Sequence, residues 1–192
     1  MPPKCKFTRS EIIQAALDIA RTEGISFITA RALGTKLGSS SKPIFSIFDN
    51  MEEVQIEVKK AAKALYAEYV KRGLGEKPAF KGVGIQYISF ASKEPKLFQL
   101  LFMSEQPDKT GVSNVLPIIE DSYDEILQSV KSNYELNESD AEKLYRHLWI
   151  YTHGIAVLYA TNMCTFSSED IERMLTEVYM SILNNIKGGK TQ

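Results

Sequence analysis

The sequence predicts an all-α protein of about nine helices, and three observations predict it. Apolar residues recur every three or four positions along most of the chain. No stretch alternates apolar with polar residues as a strand does. Helix-capping residues stand just ahead of the periodic segments. Thr8 with Glu11 has capping-box spacing, and Ile12, Ile13, Ala16, Leu17 and Ala20 follow on one helical face until Gly24. Thr29 can cap a second, short helix through Leu33 and Leu37, stopped by Gly38. Ser40 can cap a third, holding Ile44, Phe45, Ile47 and Phe48. Pro43 falls in its first turn, where a missing N–H costs nothing. Asn50 with Glu53 is a further capping box before a long helix. Its apolar stripe is Val54, Val58, Ala61, Ala62, Leu65 and Tyr69, and Gly73 ends it. Further helices are predicted over 82–92, 95–104, 115–133, 139–163 and 168–187. Pro95, Asn114, Ser139 with Glu142, and Ser167 with Asp170 open the last four. Residues 74–81 and 105–113, the latter with Pro107 and Gly111, read as connections, and 188–192 as a frayed tail. The expected division is 1–50, a connecting helix over 51–73, and a rear domain over 74–192.

Composition bounds the rest. The chain has 192 residues, 44% hydrophobic and 24% charged, enough to build a core and too apolar for a disordered chain. Two cysteines, Cys5 and Cys164, cannot staple this length. No apolar run approaches the roughly 20 residues that span a bilayer. No apolar segment follows the basic start, so no secretory signal is visible and the cytoplasm is the expected compartment. The net charge is −1, unevenly spread. Residues 1–72 carry 12 Lys and Arg against 8 Asp and Glu, and residues 73–192 carry 11 against 16. A basic front joined to an acidic rear suggests two tasks.

Three short helices with a tight turn at Leu37-Gly38-Ser39 fit a helix-turn-helix, in which a short helix with one polar side enters the major groove. Ser41, Lys42 and Ser46 supply hydroxyls and a cation there, with Ser40, Pro43 and Phe45 beside them. Ile44, Ile47 and Phe48 can anchor the opposite side. Thr29 can offer its hydroxyl and backbone N–H to a phosphate, and Arg31 and Lys36 are further phosphate candidates. Periodicity alone leaves open a plain three-helix packing unit. Lys59, Lys60 and Lys63 form either a phosphate-facing edge or a solvated face with Glu57 paired to Lys60.

The rear segment carries no catalytic pattern. Gly-x-Ser-x-Gly, His-Glu-x-x-His and Cys-x-x-Cys are absent, and Gly82-Val83-Gly84 lacks both a third glycine and a preceding strand. His147 and His153 are six apart and fall on different helix faces. No enzyme, metal or cofactor is expected. Tyr87, Phe90, Phe98, Phe102, Tyr123 and Trp149, with His153, fit either a helical core or the lining of an apolar cavity; Met103, Tyr151, Tyr159 and Met163 add to the same set.

Residues 9–54 resemble the DNA-binding domain of the tetracycline-repressor (TetR) family. The matching stretches are Ile12-Ile13-Gln14-Ala15-Ala16-Leu17 through Glu23-Gly24, Ile28-Thr29-Ala30-Arg31-Ala32-Leu33-Gly34, Leu37-Gly38-Ser39-Ser40, and Ile44-Phe45-Ser46-Ile47-Phe48-Asp49-Asn50-Met51-Glu52-Glu53-Val54. Five positions depart from it. Phe45 stands for the usual Tyr, Met51 for Lys, Ile47 for His or Tyr, Gly34 for Ala and Ser39 for Val. Each lost cation lowers the salt dependence of DNA binding by nearly one unit of slope. Lys42, with Lys6 and Arg9, can compensate. Trp149-Ile150-Tyr151-Thr152-His153-Gly154 is similar to a Trp/His-Gly element of one subclass.

The resemblance implies a one-component regulator, typically a repressor. It would bind a palindromic double-stranded DNA operator as a homodimer and be released by a small apolar or amphipathic effector held in the rear domain. The implied dimer is a four-helix bundle of the helices near 139–163 and 168–187 from each subunit. Gly154, Ala156 and Ala160 permit close approach there, and Leu144, Leu148, Ile155, Met174, Leu175, Val178 and Ile182 supply apolar area. The alternative is an all-α small-molecule-binding protein that has lost sequence-specific DNA binding.

Overall fold

The computed structural model describes residues 6–105 and 110–188. Cys5, Pro107 and the tail 189–192 lie outside them. The described residues form nine α-helices and two 3-10 turns, with no strand among them. The helices are α1 (Arg9–Thr22), α2 (Ala30–Lys36), α3 (Met51–Leu74), α4 (Ala79–Lys93), α5 (Pro95–Phe102), α6 (Val115–Ile119), α7 (Tyr123–Tyr134), α8 (Glu138–Ala160) and α9 (Ser168–Gly188). The 3-10 turns are Ile25–Phe27 and Ile44–Ser46. No helix among the described residues is long and apolar enough to cross a membrane.

Local chemistry accounts for most boundaries. The Thr8 hydroxyl oxygen accepts from the Glu11 N–H at 3.2 Å, and the Glu11 carboxylate accepts from the Thr8 N–H at 2.7 Å. This reciprocal box fixes the start of α1 and lowers the Glu11 pKa, first through that backbone hydrogen bond. Thr29 caps α2 by accepting from the Ala32 N–H at 3.1 Å. Asn50 accepts from the Glu53 N–H at 2.9 Å, and Ser167 from the Asp170 N–H at 3.0 Å. Gly24 and Gly38 take positive φ, 106° and 60°, just past the ends of α1 and α2.

Four elements differ from the sequence reading. α8 is capped by Asn137, which accepts from the Asp140 N–H at 3.0 Å, so it begins ahead of Ser139. α4 begins at Ala79, absorbing part of the expected connection. The single helix expected over 115–133 is two, α6 and α7, broken at Glu120-Asp121-Ser122. Glu120 leaves the helix with ψ 102°, its side chain is buried, and its carboxylate accepts from the Ser122 N–H at 3.1 Å. A carboxylate turned inward and bonded two residues on competes with helical continuation.

The third expected helix is the fourth difference. Residues 41–47 wind as turns around a single 3-10 turn at Ile44–Ser46. Pro43 disfavours helical backbone at Lys42, and the Ser46 hydroxyl donates back to the Pro43 carbonyl at 2.7 Å. Asp49 and Asn50 then start α3. The segment is held by its apolar residues instead: Ile44 and Phe48 are buried, as the sequence anchors them.

The chain divides into two compact units. The first takes the chain up to Tyr66 together with Glu94–Ser104, and the second takes Ala67–Lys93 and the chain from Glu105 on. In the first, α1 packs on α2 and α5 over Ile12, Ala16, Leu33, Leu97 and Phe98. Burying one such side chain contributes about 1.5–3 kcal/mol. Arg21 forks onto the buried Glu94 carboxylate, with Nε at 2.9 Å from Oε2 and a second bond to Oε1, so α5 is tied to α1 by charge as well. In the second unit, α4 packs on α7 and α8, and α8 packs on α9. Ile88, Ile155 and Leu175 centre one apolar cluster, covered by Ile85, Tyr151, Tyr159, Phe166, Ile171 and Met174.

Candidate nucleic-acid interface and effector site

The front unit exposes the polar residues that the sequence singles out. Thr29, Arg31, Lys36, Ser40, Lys42 and Ser46 are exposed, while Ser41 and Pro43 are half-buried. Phe45 is also exposed, at 48%, so an aromatic ring without a hydroxyl lies on this surface. Two hydroxyls already have intramolecular work: Thr29 caps α2 and Ser46 bonds to Pro43. Lys36 lies 3.9 Å from the Asp18 carboxylate, a distance that water screens readily. Lys42 extends from the turn just ahead of Ile44.

The substitutions of Gly34 and Ser39 fit together. A Cβ at Gly34 would stand 3.0 Å from the Ser39 carbonyl oxygen and 3.2 Å from the Ser40 carbonyl carbon. The Ser39 N–H donates to the Gly34 carbonyl at 2.9 Å. Glycine therefore lets the 39–41 backbone close directly over α2. The Ser39 hydroxyl accepts from Lys6 Nζ at 3.2 Å, which brings a cation onto the same turn.

Arg9 has several partners within the unit. Its guanidinium bonds Glu53 at 2.8 Å, lies 3.6 Å from Glu57, donates to the Ile47 carbonyl at 3.4 Å and covers the Phe48 ring at 4.3 Å. The Glu53 hydrogen bond heads the causes that raise the Arg9 pKa. Arg9 joins α1 to the start of α3. Lys60 pairs with Glu57 at 2.9 Å, which is the solvated-face reading of that residue.

In the rear unit, three of the singled-out residues meet. The Tyr87 hydroxyl lies 2.9 Å from His153 Nδ1, and the Trp149 indole hydrogen-bonds to that hydroxyl. An indole N–H can only donate, so the Tyr87 oxygen accepts from Trp149. Burial lowers the His153 pKa, which favours the neutral imidazole. Burial, above all, pushes the Tyr87 phenol far up. Trp149 stacks on His153, centroids 5.1 Å apart and planes 26° apart. Tyr145, on the same face of α8, is buried, and its pKa is raised first by that burial and then by the Glu120 charge. Tyr123 stacks on Tyr145 at 5.6 Å and 17°.

The other aromatics sit elsewhere. Phe90 is buried edge-on to Tyr69 at 5.1 Å. Phe98 and Phe102 belong to the first unit, where they pack on each other at 5.2 Å and Phe102 meets Tyr66 at 4.9 Å. Glu120 and Tyr145 were missed in the sequence. Tyr145, Trp149 and His153 follow at four-residue spacing, which was the available signal for Tyr145. Glu120 carried none. A cleft of about 290 Å³ lies along Glu76, Lys77, Pro78, Lys81, Gly82, Ile85 and Gln86. No cluster of three metal-ligating side chains occurs among the described residues.

Residues 80–180, just over half of the chain, match the family described as Tetracyclin repressor-like, C-terminal domain. The chain belongs to the TetR-like family and is a TetR-family regulator. None of the curated proteins compared matches the chain significantly.

Proposed function

We propose that the protein is a one-component transcriptional regulator, a repressor that binds an inverted-repeat operator as a homodimer and leaves it when a small effector binds in the rear unit. The observation that carries this reading is the family match over 80–180, with the 9–54 pattern ahead of it. Two recognition segments must meet successive major grooves about 34–36 Å apart. Lys42 and Ser41 make the base-edge contacts, and Arg31, Lys36 and the N-terminus of α2 hold phosphates. An effector that favours a conformation with the wrong separation needs about 1–3 kcal/mol of differential affinity to release DNA. α3 links the two regions as one continuous helix, Met51–Leu74.

The dimer face comprises α8 and α9. Leu144, Leu148, Ile155 and Leu175 are buried within the chain and belong to its own core. Ile150 and Met180 are exposed and Val178 and Ile182 half-buried, and these are the residues left for a partner.

A second reading has its own support. The segment over 41–47 is not an α-helix, Phe45 lacks the phenol and Met51 lacks the cation. A small-molecule-binding protein without an operator would tolerate all three. Selection of the purified protein against random duplex DNA at two salt concentrations separates the readings. The regulator yields an enriched inverted repeat whose affinity falls steeply with salt. No enrichment, again after stripping co-purified ligand, establishes the second reading.

A further inference from the structure

The front unit sets a large apolar ring among hydrogen-bonding side chains. Phe45 is 48% exposed, although Ile44 before it and Phe48 after it are buried. The 3-10 turn at Ile44–Ser46 makes this split: it points Ile44 inward and leaves the next residue outward. The exposed residues around Phe45 in the chain are Ser40, Lys42 and Ser46, so the ring is the bulkiest group that this segment turns to solvent. Much of the polar capacity nearby is already used within the chain. The Ser46 hydroxyl donates to the Pro43 carbonyl at 2.7 Å, the Thr29 hydroxyl caps α2, and the Ser39 hydroxyl accepts from Lys6 Nζ at 3.2 Å.

An exposed phenylalanine on a unit that also exposes Lys6, Arg31, Lys36 and Lys42 suits duplex DNA in one way. The cations match its phosphates. The ring cannot hydrogen-bond, so it gains nothing from phosphate oxygens or from the donors and acceptors of base edges. Laid against them it would strip their water and return no bond. The major groove offers one kind of apolar group, the 5-methyl of thymine. We infer that Phe45 reads the 5-methyl group of a thymine in each operator half-site. A tyrosine at this place would offer its hydroxyl to a phosphate, which carries no sequence information, whereas the bare ring discriminates between bases. The inference rests on the regulator reading above and names what its recognition segment reads.

Deoxyuridine isolates the group in question, because it pairs as thymidine does and keeps O4 but lacks the methyl. The operator obtained by selection from random duplex DNA is resynthesised with each thymine replaced in turn by uracil, symmetrically in both half-sites, and binding is followed by fluorescence anisotropy. One position in each half-site should respond, with a loss of about fourfold per methyl and about fifteenfold for the two together. Phe45→Ala removes an exposed ring and leaves Ile44 and Phe48 in place, so it should bind the thymine and uracil duplexes equally at that position. Equal affinity of the native protein for thymine and uracil at every position overturns the inference and leaves the regulator reading standing, and that comparison needs no variant to fold. A thymine preference that F45A retains in full overturns the role of Phe45. Failure to select any operator, again after stripping co-purified ligand, overturns the regulator reading and this inference with it.

Discussion

Gly73→Ala tests how the rear unit is assembled. Gly73 near the end of α3 and Gly82 in α4 face each other across a helix crossing. A Cβ on Gly73 would lie 2.6 Å from both Cα and N of Val83 and 2.8 Å from the Gly82 carbonyl carbon. Carbon atoms rest at about 3.5–4.0 Å, so the helices must separate by about 1 Å. The atoms in the way are backbone, and no side-chain rotation relieves them. Overpacking of this kind costs about 3 kcal/mol, the upper end of its usual range. Alanine in a helix recovers about 1 kcal/mol over glycine, which leaves a net loss of about 2 kcal/mol. For a chain of this size that lowers Tm by about 4–8 °C. Gly84→Ala is the matched control, because it lies in α4 and nothing stands within 4 Å of its added Cβ. It should raise Tm by about 2–4 °C. Both are read by thermal denaturation followed by helical circular dichroism at one protein concentration, since any self-association makes Tm concentration-dependent. If Gly73→Ala is as stable as Gly84→Ala, the helices are not in backbone contact there.

Arg21→Ala strands the buried Glu94 carboxylate and should cost about 1–3 kcal/mol in urea unfolding, whereas replacing both Arg21 and Glu94 should cost less than the two singles together; strict additivity refutes the pair. His153 has a lowered folded-state pKa, so the unfolded chain takes up its proton first: stability is complete above the ordinary value of 6.5 and is lost as pH falls below it. The urea midpoint should therefore drop between pH 7.5 and 5.5 in the native protein and less in His153→Gln, and equal slopes would count against a neutral, buried imidazole (ordinary histidine value about 6.5). Lys42→Ala should weaken operator binding by about 1–3 kcal/mol and relax the base preference at the position it reads, and unchanged affinity with unchanged preference removes Lys42 from the interface.

The fold was legible where the determinants are local. Thr8 with Glu11, Thr29, Asn50 and Ser167 are within three residues of the N–H groups they cap, so spacing alone finds them. It was illegible where a side chain overrides periodicity. Apolar spacing runs on through 115–133, yet the helix breaks where Glu120 turns inward. Pro43 looks harmless in sequence because its own N–H is not needed; its effect falls on Lys42 before it, and Ser46 then donates to its carbonyl. Arg9 could not be assigned from sequence, since its partners Glu53 and Glu57 are more than forty residues away. The aromatic set shows the same limit. Tyr87, Trp149 and His153 converge because α4 packs on α8, whereas Phe98 and Phe102 belong to α5 and to the first unit. Glu120 was passed over because a polar residue in a helical stripe reads as surface.

The departures in the front unit form one pattern. Gly34 and Ser39 alter the turn so that its backbone lies directly over α2 and holds Lys6 beside it. Phe45 and Met51 remove a hydroxyl and a cation from the same surface, and Arg9 is spent on Glu53, Glu57 and Phe48. Lys6, Arg31, Lys36 and Lys42 are exposed, and Lys36 faces Asp18. Phosphate contacts supply most sequence-independent affinity, so a surface with fewer of them binds random DNA weakly. Base-edge contacts and DNA shape must then carry a larger share of any operator complex. A regulator built this way would lose its operator sharply on mutation of a few base pairs and gain little from non-specific sliding. The same residues leave a protein with no usable affinity if the short 3-10 turn cannot seat in the groove. The two proposed readings thus diverge on one physical quantity, the ratio of specific to non-specific affinity, which is large in the first and near unity in the second.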